Sequence, residues 1–340
     1  MTIDQTSNRG YAISAKDEGF ALEIRDRPVP QPGPGEVLIR IEAASLNFRD
    51  LLVAGRAPAS GVTPLSDGAG VVEALGDGVA GLAVGDRVMP GFFQAWADGP
   101  FQAAYGPGQR GGLDIDGVLT RYVSVPAAVV VGIPDALSFE EAATLPCAAV
   151  TAWVALFDRY KLQPDDVVVV QGTGGVAIFG LQLATAAGAR VIVTSSSDAK
   201  LEQARELGAW GTINYVTHPD WDQEVVRLTE GRGANVILEL GGKGTFERSI
   251  LAVAAGGAIA QIGGLAGFGA SPNLLRLQQV NASIHALSVG SAAHLAAVAA
   301  FIATKAIKPV IDTVFAFEEA PAAFDALKAG RHFGKLVIRL

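Results

Sequence analysis

A single cysteine, Cys147, stands in 340 residues. That excludes an internal disulfide and fits a reducing compartment. Histidine is almost as scarce: there are four, and the first is His218. No apolar run reaches the roughly 18 residues that a membrane helix requires. The stretches Val167–Val170 and Val123–Ile133 are too short and read as strand. Met1–Gly10 is polar and lacks the apolar core of a secretory signal. Positive charge is also in deficit: 26 Lys and Arg against 34 Asp and Glu leave −8, which argues against non-specific binding to nucleic acid or an anionic membrane. A soluble, cytoplasmic protein is expected.

What is present points to a folded chain. Half the residues are apolar and 18% are charged, so a wholly disordered chain is excluded. The 41 glycines follow no three-residue period, which excludes collagen. At about 150 residues per domain, two domains are expected. In the first third, the alternating run Glu36–Glu42 follows a loop rich in proline and glycine. Gly68–Glu73 and Asp86–Pro90 are further short strands between glycine turns. This spacing predicts an antiparallel β barrel or sandwich. Phe92–Gly117, with six glycines and two prolines, has no periodicity and reads as a long surface loop. Its aromatics Phe92, Phe93, Trp96 and Phe101 either cover a flat ligand or anchor the loop to itself.

The pattern changes at Ser138-Phe-Glu-Glu141, a capping box that opens a helix. Apolar strands at 166–171, 189–194, 212–215, 234–240, 257–262 and 285–289 then alternate with helices at 175–187, 199–207, 223–229, 245–251 and 292–303. Such alternation implies a doubly wound parallel sheet covered on both faces. After a further helix to Ala329, the alternating strand Lys335–Leu340 is expected to return to the first domain.

The sharpest motif is Gly172-Thr173-Gly174-Gly175-Val176-Ala177, between a buried strand and a helix. It fits G-x-G-x-x-[GA] on Gly172, Gly174 and Ala177: a tight turn, a close backbone approach to a pyrophosphate, and small-residue packing. The helix start offers free N–H groups to phosphate. A dinucleotide site is the reading. An NAD site usually places a carboxylate at the end of the next strand. Here Ser195, Ser196 and Ser197 stand there, with Lys200 following. Hydroxyls and an ammonium suit a 2′-phosphate, which favours NADPH over NADH. The same serines can cap the helix near Asp198.

With that turn in place, the chain resembles the medium-chain dehydrogenase/reductase superfamily, in particular its zinc-free, quinone-oxidoreductase-like branch. The resemblance spans essentially the whole chain. It rests on Pro-Gly-Glu36-Val-Leu-Ile-Arg, Ser45-Leu-Asn47-Phe-Arg-Asp50, Asp67-Gly-Ala-Gly70-Val-Val, Val84-Gly-Asp86-Arg-Val, Ala143-Thr-Leu-Pro146-Cys-Ala-Ala-Val-Thr151-Ala-Trp and Gly334-Lys335-Leu-Val-Ile. It implies an α/β fold in which a doubly wound parallel (Rossmann) sheet is inserted into a mostly β, barrel-like (GroES-like) catalytic domain, with the active site in the cleft. The expected division is 1–131 plus 292–340 for the catalytic domain and 132–291 for the dinucleotide-binding domain. The resemblance also brings Leu240, Gly241, Ile262, Gly263, Val289 and Gly290 along the cofactor, Tyr215 and Lys335 towards its phosphates, and Thr151 to the nicotinamide. It further implies a homodimer through edge strands of the inserted sheet, here Ser283–Val289.

In the zinc-dependent branch the metal positions would fall on Asn47, Ser66 and Cys147, beside Asp67. Asn47 and Ser66 are poor zinc ligands, and Cys147 alone holds no metal. A set of Cys147, Asp67 and Asp50 is the remaining alternative. Without a Lewis acid the chain suits acceptors that take hydride readily, namely quinones and α,β-unsaturated carbonyls. Asn47 is the first polar candidate to hydrogen-bond the acceptor. It also reads as a turn residue satisfying local backbone. The competing functions are a zinc-type alcohol dehydrogenase with unusual ligands and a non-catalytic NADPH-binding protein.

Overall fold

The computed structural model describes residues 7–58, 61–267, 269 and 273–340. Among the described residues fifteen strands are formed. In chain order they are β1 (Asn8–Ala15), β2 (Phe20–Arg27), β3 (Glu36–Ser45), β4 (Asp67–Leu75), β5 (Arg87–Pro90), β6 (Tyr122–Pro126), β7 (Val130–Gly132) and β8 (Val167–Gln171). There follow β9 (Arg190–Ser195), β10 (Gly211–Asn214), β11 (Ala234–Glu239), β12 (Val253–Gln261), β13 (Ser283–Ala286), β14 (Ile311–Ala316) and β15 (Lys335–Arg339). The chain divides into two compact units, Met1–Val150 with Gly290–Leu340, and Thr151–Val289.

The first unit is mostly β. Its sheet runs β14-β15-β3-β4-β5-β7, with β6 also on β3, and β1 and β2 form a separate antiparallel pair. The inward residues Val37, Ile39 and Ile41 of β3 join Val72, Val88, Val125 and Ile338 in its core. The closing strand β15 pairs antiparallel with β3 and parallel with β14, so the end of the chain does return to this unit.

The second unit is a six-stranded sheet in the order β10-β9-β8-β11-β12-β13, with every pairing parallel. Strand order therefore reverses beside β8, as in a doubly wound dinucleotide fold. All of β8 is buried, which is why its sequence runs Val-Val-Val-Val instead of alternating. Close packing of the helix Gly175–Ala186 on this strand depends on Gly180 as well as Ala177. A Cβ at Gly180 would lie 2.7 Å from a Leu238 methyl and 3.1 Å from one of Val170.

Three features differ from the sequence expectation. The β1–β2 hairpin was not foreseen. The stretch 132–150 belongs with the first unit, because the helix Phe139–Ala143, capped by the Ser138 hydroxyl on the Glu141 N–H, packs on β3, β4 and β15. The segment Phe92–Gly117 is irregular and partly exposed, as a surface loop is, but it is pinned inward by the buried Phe92, Phe93, Trp96 and Arg110. Among the described residues no helix is long and apolar enough to cross a membrane.

Candidate active site

In the first unit, strand register assembles a polar cluster from distant sequence. β4 begins opposite the end of β3, with Asp67 paired to Ser45. On the other side β15 pairs Val337 with Ser45, and the same antiparallel register carries Lys335 to Asn47. The Ser45 hydroxyl and the Leu46 N–H both donate to the Leu336 carbonyl, at 3.1 Å each, and fasten this edge.

The Lys335 side chain is buried within this cluster. Its ammonium donates to the Leu46 carbonyl at 2.5 Å and to Asn47 Oδ1 at 2.6 Å. Asn47 also caps the helix Phe48–Ala54: its N–H donates to Asp50 Oδ2 at 2.7 Å, and its carbonyl accepts the Asp50 N–H at 2.9 Å. The Asn47 Nδ2 is buried and faces the Asp67 carboxylate, whose charge it favours, without a well-formed hydrogen bond. The Ser66 hydroxyl donates to Asp67 Oδ1 at 2.6 Å, and the Cys147 N–H donates to Asp67 Oδ2 at 3.0 Å. Asp50 Oδ1 lies 3.5 Å from the Arg49 guanidinium.

The electrostatics follow from burial. Desolvation raises the Asp50 carboxyl to about 6 against the pull of Arg49. It also raises Asp67, where the Lys335 ammonium and the Ser66 hydroxyl oppose it. The Cys147 thiol is pushed well above its usual range by burial and then by the Asp67 charge. Burial lowers Lys335, and the nearby acidic groups counter it.

The segment 92–117 is bolted beside this cluster. Arg49 donates to the carbonyls of Arg110 and Gly111 and to Gln109, and its guanidinium lies 4.8 Å from the centre of the Phe92 ring. Phe93, Trp96, Phe101 and Tyr105 contact one another ring to ring. These aromatics anchor the segment to itself.

In the second unit the glycine turn has the geometry the motif requires. Gly172 has φ +78°, and a Cβ at Gly172 or Gly174 would meet open space, so the turn presents bare backbone at the helix start. Thr173 is buried; Gly175 and Val176 are half-buried in the turn and first helical residues. At the end of β9, the Ser195 hydroxyl accepts the Ser197 N–H and the Ser197 hydroxyl caps the helix on the Lys200 N–H. Ser196 is the exposed hydroxyl of the three. Tyr215 is exposed beside them, its N–H on the Ser195 carbonyl at 3.1 Å. Asp198 lies beyond the strand and accepts from Asn214.

Sequence reasoning passed over Glu239, which is fully buried at the end of β11. Its Oε1 accepts from the N–H groups of Gly241 and Gly242 and from Thr245, and its Oε2 from Gln171 and Ser249. Gln171 Oε1 in turn accepts the N–H groups of Leu240 and Gly241 at 3.1 Å. The knot holds the 240–242 turn to the end of β8. Only its run of acidic and amide residues at strand ends could have signalled it. Ile262 and Gly263 N–H groups close onto the Glu239 carbonyl, and a Cβ at Gly263 would lie 2.9 Å from the Leu240 carbonyl. Val289 has φ +53°, a strained value for a β-branched residue, and Gly290 follows it in the first unit. Thr151 is buried at the start of the second. Lys335 departs from its expected role, since its ammonium is committed to Asn47 and Leu46 and not held free for a phosphate.

Comparison with known proteins agrees with this architecture. Residues 33–135 match the alcohol dehydrogenase GroES-like domain, and residues 175–304 match the zinc-binding dehydrogenase family. A zinc-type alcohol dehydrogenase-like protein of Schizosaccharomyces pombe is 42% identical over 97% of this chain and 99% of its own. The chain belongs to the medium-chain dehydrogenase/reductase superfamily. A quinone oxidoreductase of Pseudomonas aeruginosa is 34% identical over 76% of this chain and 74% of its own. A crystal structure of a putative alcohol dehydrogenase from Sinorhizobium meliloti superposes with a TM-score of 0.92 at 40% identity, covering 98% of this chain and 99% of that one.

Members of the superfamily are oxidoreductases built on a pyridine-nucleotide fold, and this chain carries both parts. Its fit to a catalytic zinc is poor. Two of the three corresponding positions are an amide and a hydroxyl, only the third is a thiol, and an ammonium stands 2.6 Å from Asn47 Oδ1. Among the described residues no group of three or more His, Cys, Asp or Glu is arranged to hold a metal.

Proposed function

We propose that the protein is an NADPH-dependent reductase of quinones or α,β-unsaturated carbonyl compounds, of the quinone-oxidoreductase-like kind, and that it works without a metal. The observation that carries this reading is the Asn47 amide: its oxygen is engaged by Lys335, and its buried Nδ2, facing Asp67, makes no well-formed hydrogen bond. A buried donor without an acceptor costs free energy unless something completes it. An acceptor oxygen that gains negative charge as it is reduced is such a partner.

NADPH, with its pyrophosphate against the glycine turn, would supply hydride when bound. Asn47 donates to the acceptor oxygen, and the proton that completes reduction comes from water. Quinones and enones need no stronger polarisation, because the anion they form is delocalised. Ser196 and Lys200 support the 2′-phosphate, since no carboxylate stands at the end of β9 to repel it. The edge strand β13 supports pairing of two copies into a homodimer, and the single cysteine suits the cytoplasm.

The test is oxidation of NADPH and NADH by the purified chain with a panel of quinones, enones and simple aldehydes. Turnover with NADPH and the electron-poor acceptors is expected. Turnover confined to alcohols and aldehydes with bound zinc identifies a zinc-type alcohol dehydrogenase instead. Tight NADPH binding with no turnover identifies a non-catalytic binding protein.

A further inference from the structure

We infer that Lys335 is the resident cation of the polar cluster and a positioning residue: its ammonium fixes which way the Asn47 amide faces. The inference rests on Asn47 as the donor proposed above. A carboxamide can present either its oxygen or its NH2 in a given direction, and the two orientations have nearly the same shape. Here an ammonium, which can only donate, stands 2.6 Å from one end of the amide. That end is therefore the oxygen, and the NH2 is turned the other way, buried and facing Asp67 without a well-formed hydrogen bond. Lys335 cannot swing aside freely, because it is buried and its second bond, 2.5 Å to the Leu46 carbonyl, ties it to the end of β3. The same ammonium balances Asp67, as Arg49 balances Asp50. Two cations thus face two carboxylates. A divalent metal added here would meet a fixed positive charge at Asn47 Oδ1. The register of β15 on β3 is what delivers the lysine, so the closing strand completes the site physically as well as topologically.

The experiment is a double-mutant cycle in the full chain, Lys335→Met against Asn47→Ala, reading kcat with the best acceptor and NADPH affinity by fluorescence. Lys335→Met is expected to lower kcat about 100-fold while NADPH affinity stays within about twofold. In the Asn47→Ala background the same substitution is expected to change kcat less than about threefold, because the two residues act as one. An equal loss in both backgrounds, an unchanged kcat, or a loss confined to NADPH affinity overturns the inference; the last result would instead mark a cofactor-phosphate contact. Should Lys335→Met fail to fold, Lys335→Arg is used. It keeps the charge and a donor with altered reach, and its kcat loss is likewise expected to vanish when Asn47 is alanine, with persistence there counting against the inference. If Asn47→Ala alone leaves kcat unchanged, the donor reading of Asn47 itself is wrong. If Asn47→Ala lowers kcat and Lys335 acts independently, only the present inference falls.

Discussion

Two buried polar knots, one in each compact unit, are built from similar parts and end in different states. Around Glu239 every interaction is matched: five donors meet one carboxylate, and Gln171 satisfies one further backbone N–H, that of Leu240, while sharing that of Gly241. Around Asn47 the matching is incomplete. Nδ2 of Asn47, which faces Asp67, and Oδ1 of Asp50 are buried without a well-formed hydrogen bond, and burial displaces the acid groups from their usual range. A fully satisfied network rigidifies, whereas an incompletely satisfied one stores a binding preference. The first knot is scaffold that holds the strand-end turns of a nucleotide fold. The second is the place where chemistry is expected.

The contrast can be broken by substitution. Its largest expected effect is on stability: Glu239→Ala removes the shared acceptor of five donors, only some of which keep a second partner, and should cost on the order of 4 kcal/mol in urea unfolding. Next comes a pH effect in the other knot. The Asp50 carboxyl sits at about 6 instead of 3.8, so the folded chain holds this proton more tightly than the unfolded one. Its contribution is full below about pH 4 and is lost as pH rises through 6, by up to about 3 kcal/mol. Subtracting the unfolding profile of Asp50→Asn from that of the parent chain should leave this slope, and a flat difference would contradict it. Asn47→Asp keeps an acceptor for Lys335 but removes the NH2. It should lower kcat about 100-fold and change stability by less than about 1 kcal/mol; unfolding on the scale of Glu239→Ala would erase the distinction between the knots. Smallest is Ser196→Asp, expected to shift the preference between NADPH and NADH about tenfold towards NADH by like-charge repulsion of the 2′-phosphate, measured as a ratio of kcat/KM values.

The two knots also differ in how much of them the sequence discloses. The nucleotide half was legible because its signals are local: an all-apolar strand, a glycine turn needing a positive φ at Gly172, and a helix directly after it. Glu239 escaped because a lone acidic residue at a strand end looks the same whether it is solvated or completely enclosed. In the other half Asn47 was legible as a polar candidate, but its partner was not. Lys335 lies 288 residues further along, and only the register of β15 on β3 brings the two together. The buried part of the segment Phe92–Gly117 escaped for a related reason. Its core is made by ring-on-ring contacts and the buried Arg110, and neither leaves a period of two or 3.6 residues to detect. The capping box at Ser138 was read correctly, but packing on β3, β4 and β15 decides to which unit its helix belongs, and no local pattern records that.

The most direct test is metal analysis of the purified chain during turnover, before and after dialysis against a strong chelator. Undiminished NADPH-dependent reduction of a quinone or enone with far less than one metal ion per chain is the expected result. One tightly held zinc per chain, lost together with activity on chelation and restored together with it on adding zinc back, would contradict a site organised around the Lys335 ammonium.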